Sequence, residues 1–424
     1  MYLIETKPLF YVNDQNGASA IVVAIVGVFA LVGIAALSID VGFIFGTKNE
    51  LQNIADGAAL AGARELGAIY QPLPYSDQQG YVLTSAEQTT IKDTAKAVAL
   101  QNKAGGKANI VVNDEDIIIG LLQDREPDGS CLSGTQPVGD YCFDVTITQP
   151  TAVTVIARRD SAANSPVSTF FARIFKIFGS NFELVNVTAD ATAALTGQSE
   201  AGEGGLPIPV GISEWWFDNN ACRDEITFYP ANDPSSCAGW TTYTYSPSND
   251  PKIQDLITGD LENPAVSYGE DLGFTGGTLS DNTFSELLLL FMREGYDAEL
   301  CGTPPCPPAA PGAEVPLYDC GPNCTTGERL YYPEDGPPYK DDTTRPRNYH
   351  NWEASVIVYE SNDCANPNQT QKLVGFARVT VTDVYRAPDK TIKGIVLCNF
   401  VEPGDSRGGG GNFGTLGSIP GLVE

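Results

Sequence analysis

The hydrophobic pattern changes character several times along this chain. From Ala18 to Ile39 the residues read ASAIVVAIVGVFALVGIAALSI, 22 positions without a charged side chain. Apolar residues surround a helix on every face here. The run therefore predicts a membrane-spanning helix, which needs about 20 apolar residues. A cleaved secretory signal has a shorter apolar stretch of roughly 7–15 residues behind a basic start. Here the start carries only Lys7 against Glu5 and Asp14. No proline follows until Pro72, and Leu51, Ile54, Ala55, Ala58 and Ala59 recur at helical spacing. One helix is predicted from about Ala18 to about Leu66, roughly 70–75 Å long at ~1.5 Å per residue. Gly42 with Gly46, and Ala58 with Gly62, form small-xxx-small pairs. Such pairs let helix backbones approach closely, whether on a partner helix or on the chain's own head. Asp40, at the end of the apolar run, is expected to be interfacial.

Beyond this helix the periods shorten. Ser85 to Gln101 predicts a helix with Thr84 and Glu87 as a capping box, ended by Gly105-Gly106. Asn109–Val112, Asp116–Leu122, Cys142–Thr148, Val153–Arg158 and Leu184–Ala194 read as strands, with a short helix over Phe170–Phe178. The polar, Gly-rich Gln198–Gly205 predicts a boundary. After it come a buried strand at Leu206–Ile212 and a helix at Asp281–Glu294 capped by Thr283 with Glu286. Ala354–Glu360, Val374–Tyr385 and Thr391–Phe400 alternate as consecutive antiparallel strands. From Pro403 the chain is Gly-rich. Its GGGG reads as flexible linker, with Ile419–Val423 apolar enough to dock.

The expected fold class is α+β: a long N-terminal membrane-spanning helix, a mixed α/β domain next to it, and a β-rich, disulfide-stapled outer domain. The expected boundaries are 1–17 for a short cytoplasmic leader, 18–67 for the membrane and stalk helix, 68–198 for the α+β domain, 199–402 for the β-rich domain and 403–424 for the tail.

Charge and cysteine content sharpen this picture. The 424 residues hold 53 acidic against 25 basic side chains, a net charge of −28. Residues 1–200 carry 12 − 21 = −9 and residues 201–424 carry 13 − 32 = −19, so acidity concentrates in the second half. A nucleic-acid partner is not expected, because phosphate binding needs a basic surface. All ten cysteines lie downstream of the apolar run. An even count in a loop-rich chain behind a membrane segment predicts disulfides in an oxidising, extracytoplasmic space. Cys131–Cys142, Cys222–Cys237 and Cys364–Cys398 are the natural local pairs. Cys301, Cys306, Cys320 and Cys324 form C-x4-C-x13-C-x3-C, which is compatible with further disulfides or with a four-thiolate zinc site.

Signals for other chemistry are weak. Asn113-Asp114-Glu115-Asp116 and Asp218-Asn219-Asn220 carry the oxygen ligands calcium prefers, but without EF-hand spacing. Trp215-Trp216 and Trp240 are either sugar-stacking aromatics or core. His350 is the single histidine and has no nucleophile motif beside it. No catalytic residue, cofactor or resident metal is expected, and the chain is not expected to be an enzyme.

The stretch NGASAIVVAIVGVFALVGIAALSIDVGFIFGTKNELQNIADGAALAGARELG resembles the N-terminal region of TadG-like proteins of the Tad (Flp) pilus-assembly system. The matching features are Ile39-Asp40-Val41-Gly42 and the helix from Leu51-Gln52-Asn53 through Ala63, with Ile54 and Gly57 as departures. PVSTFFARIFKIFGSNFELVNVTADATAAL, Pro166 to Leu195, is similar to a second segment of that family. The resemblance implies a pilin-like protein of the bacterial inner membrane with a processing site between Gly17 and Ala18. It also implies other Tad or pilin-like proteins as partners and self-association through the N-terminal helix. The D-x-S-x-S metal motif found in many such proteins is absent from this sequence. A surface adhesin binding cations or glycans, sharing the same anchor, is the alternative function. An extracellular hydrolase is the third.

Overall fold

The computed structural model describes residues 15–126, 128–171, 183–221, 223–228, 237–276, 279–294, 352–364, 367–404 and 406–423. Among these the fold is α+β. The helices are α1 (Gln15–Tyr70), α2 (Tyr75–Gln78), α3 (Ser85–Leu100), α4 (Glu214–Asn219), α5 (Asp250–Thr258) and α6 (Asp281–Glu294). Helix α1 is one uninterrupted element of 56 residues, about 84 Å at the usual rise. It runs a turn past the predicted end because Gly67 and Ala68 do not break it, and Pro72 is the first residue that must.

Contacts group residues 1–58, 95–117 and 155–191 into one unit, and 59–94, 118–154 and 192–424 into a second. The grouping interleaves along the chain and does not follow a break at 198–199.

In the first unit, α1 acquires a buried stripe that starts at Asp40 and continues through Thr47, Leu51, Ile54, Ala55 and Ala58. Opposite it, Arg159 is buried and donates to the carbonyls of Ala104, Gly105 and Ser165. Gly105 adopts φ +54°, and its N–H donates to Glu50 at 2.6 Å. A Cβ there would collide with Arg159 and Thr47, so the close approach requires glycine. The strand expected at Asn109–Val112 is not formed. Asn109 turns to φ 56°, and the Asn164 amide takes the place of a neighbouring strand by accepting from Val111 N–H and donating to its carbonyl.

In the second unit the central ladder is an antiparallel pair, Trp352–Tyr359 with Gln371–Val384, in register from Trp352↔Val381 to Tyr359↔Leu373. Ile392–Leu397 extends it antiparallel to Gln371–Val384. Val210–Ser213 adds parallel to Trp352–Tyr359, with Gly211 opposite Ile357, and carries Ala238–Tyr243 antiparallel on its other edge. Helices α5 and α6 bury Ile253, Ile257, Phe284, Leu287, Leu288 and Phe291 against one face, where Trp240 meets Phe284 edge-on at 5.6 Å. Tyr243, Phe274, Tyr359 and Phe376 fill the other face. The cap of α6 differs from expectation. Ser280 Oγ accepts from Thr283 N–H, while the buried Thr283 hydroxyl donates to Asp250 at 2.6 Å.

The C-terminal residues are not a free tail. Gly408–Asn412 pairs with Gly197–Gln198 and with Gly375–Phe376. Thr415–Leu416 pairs with Phe400–Val401, and Gly421–Val423 pairs with Thr192–Ala194. The glycines permit close packing rather than flexibility. A Cβ on Gly410 would overlap the Gln198 carbonyl, and one on Gly411 would meet the Phe413 ring.

Candidate functional site

Among the described residues, helix α1 carries the candidate functional surface. Between Ile21 and Ile39, twelve large apolar side chains are exposed, from Leu37 at 49% to Phe29 at 74%. Fully burying one such side chain is worth about 1.5–3 kcal/mol. Removing the whole set from water is therefore worth on the order of 20 kcal/mol, more than the net stability of a typical domain. The helix is long and apolar enough to cross a membrane.

The apolar run ends at a built junction. Asp40 is 2% exposed. Its two carboxylate oxygens accept from the backbone N–H of Phe170 at 2.7 Å and Phe171 at 2.9 Å. The Phe170 ring meets Phe43 edge-on at 5.2 Å. Asp40 keeps the interfacial position expected at the end of the apolar run, and its part in this junction is not visible in the sequence. A carboxylate directly after an uncharged run must find donors or water, but its partners lie 130 residues away.

The small-residue pairs have different fates. Gly42 and Gly46 are exposed, with open space where a Cβ would stand. Ala58 and Gly62 are buried in the chain's own fold, where a Cβ on Gly62 would press on Val153 at 3.1 Å. Gly17 and Ala18 lie inside the first turn of α1.

Cys131 bonds Cys142, closing a loop of sequence separation 11. Cys237 bonds Cys364 across a separation of 127. The expected local pairs of Cys237 with Cys222 and of Cys364 with Cys398 are thus corrected. Sequence proximity misled because the Cys237 N–H donates to the Cys364 carbonyl, which brings the two ends of distant strands together. Cys398 is also disulfide-bonded. Cys222, Cys301, Cys306, Cys320, Cys324 and His350 lie outside the described residues, and with them the zinc alternative.

Four members of these two clusters are engaged within the protein. Asp114 pairs with Lys96, and the buried Asp116 pairs with Arg158. Asn219 and Asn220 donate their amides to the Trp215 and Trp216 carbonyls. Among the described residues no group of three or more His, Cys, Asp or Glu side chains is placed to share a metal ion. Trp216 and Trp240 are core residues at 5% and 2% exposure, and Trp215 packs against the same core.

Residues 17–65 match the Tad family, described as putative Flp pilus-assembly TadE/G-like. This Tad segment spans the whole exposed apolar run and most of the buried stripe that follows it. No curated protein and no solved structure matches the chain. The Tad segment and the apolar helix together point to membrane anchoring and to a pilus-related role.

Proposed function

We propose that this chain is a membrane-anchored, pilin-like structural protein that acts in Tad/Flp pilus assembly or in cell-surface attachment. Helix α1 crosses the bacterial inner membrane, and the remainder faces the extracytoplasmic space. The observation that carries this reading is the coincidence of the Tad segment with a helix whose apolar face is exposed on all sides before Asp40 and on one side after it. The bridges Cys131–Cys142 and Cys237–Cys364 support an oxidising compartment. The open edge at Gly42 and Gly46 is where helices of other pilin-like subunits, or of a second copy, would pack. The role is structural rather than enzymatic. Deleting the gene in its host should abolish or sharply reduce surface pili and attachment. Normal pili and normal attachment in the deletion strain would contradict the proposal.

A further inference from the structure

The exposed apolar surface of α1 does not stop with the uncharged run. Val41 and Phe45 continue it past Asp40 at 42% and 63% exposure, and Phe170 and Phe171 stand beside it at 61% and 37%. These two phenylalanines do not reach this position by chance of loop conformation. Asp40 holds both of their backbone N–H groups, and Phe43 holds the first ring. Phe43 lies four residues beyond Ile39, which is about 6 Å along the helix. Ala18–Ile39 is about 33 Å long on the same scale, enough to fill a hydrocarbon core of about 30 Å. The aromatic pair therefore stands at the depth of the headgroup boundary, where apolar rings beside polar groups are favoured. A carboxylate at that depth is costly unless satisfied, and here each oxygen accepts a charge-assisted hydrogen bond.

We propose that Val41, Phe45, Phe170 and Phe171 form a collar that inserts into the headgroup boundary of the bilayer that α1 crosses, with Asp40 as the positioning residue that aims it. The occupant follows from continuity: the patch is the direct extension of the lipid-facing helix surface. The inference rests on the anchored reading of α1. The collar fixes the depth and rotation of α1, so that its buried stripe begins where lipid ends.

The test uses the full chain in nanodiscs of phosphatidylcholine and phosphatidylglycerol. p-Benzoylphenylalanine replaces Phe29, Phe170 or Phe171, one at a time. Illumination followed by intact mass should show lipid adducts at Phe29 and at both collar positions. Adding Asp40→Ala to the Phe170 probe should lower its lipid yield several-fold and leave the Phe29 yield unchanged. An unchanged Phe170 yield would overturn the role of Asp40. Should that variant fail to fold, Asp40→Asn, which keeps one accepting oxygen, should give an intermediate yield. Adducts at Phe29 with none at the collar positions, or chain-to-chain adducts at Phe170 in place of lipid ones, would overturn the collar and leave the anchor standing. No lipid adduct at Phe29 would overturn the anchored reading and the collar with it.

Discussion

Asp116 keeps 1% of its surface exposed, and Arg158 donates to it through Nε at 2.9 Å. Desolvating a carboxylate is costly, so its partner matters more than the pair's net contribution. Arg158→Met should therefore destabilise the fold by about 3 kcal/mol, because it leaves a buried charge uncompensated. Urea denaturation measures this, and a loss below about 1 kcal/mol, the range of an exposed pair, would contradict it. Glu402 presents the opposite balance. Burial pushes its carboxyl above the usual range, although Arg378 donates to both oxygens and draws it down. The folded chain thus holds this proton more tightly than the unfolded chain does. The resulting stability is complete below the unfolded pKa and is lost as pH rises through the raised folded value. Glu402→Gln mimics the protonated form, so its stability relative to the wild type should rise as pH climbs above the ordinary carboxylate range. A difference that does not vary with pH would refute that assignment.

At the scale of elements, local signals were legible where the partner lies a few residues away. The box at the start of α3 is one such case. Thr84 N–H and hydroxyl both donate to Glu87 at 2.8 Å, and Glu87 N–H returns to the Thr84 hydroxyl. Thr84→Ala should cost about 1 kcal/mol, visible as a lowered thermal midpoint, whereas an unchanged midpoint would show that the cap is idle. The three long strands and the amphipathic face of α6 were also legible, since a period of two or 3.6 is written in the residues themselves. The C-terminal glycines were not. A glycine run carries no side-chain pattern, and only the overlap that a Cβ would create at Gly410 and Gly411 shows that two strands need that space. Gly410→Val should destabilise by about 1–3 kcal/mol through overpacking. A flexible linker would tolerate the same change, and urea denaturation tells the two apart.

For the molecule as a whole, long-range connections decide what the sequence hides. The apolar span and its Tad-like continuation were legible because they are contiguous in the chain. The Asp40 junction and the Cys237–Cys364 bridge were not, because their partners lie more than 100 residues away. In the chain-entropy account, closing 127 residues is worth about 5 kcal/mol and closing 11 about 3 kcal/mol. Replacing both cysteines of the longer bridge with alanine should therefore lower the thermal midpoint more than replacing Cys131 and Cys142. On the proposed function, the head works in pilus assembly only when α1 holds it to the membrane. Surface pili per cell, counted in a deletion strain, test it most directly. The strain is complemented with either the full chain or residues 40–424 released behind a cleavable export signal. The full chain should restore pili and the released chain should not. Equal restoration by the released chain would contradict it.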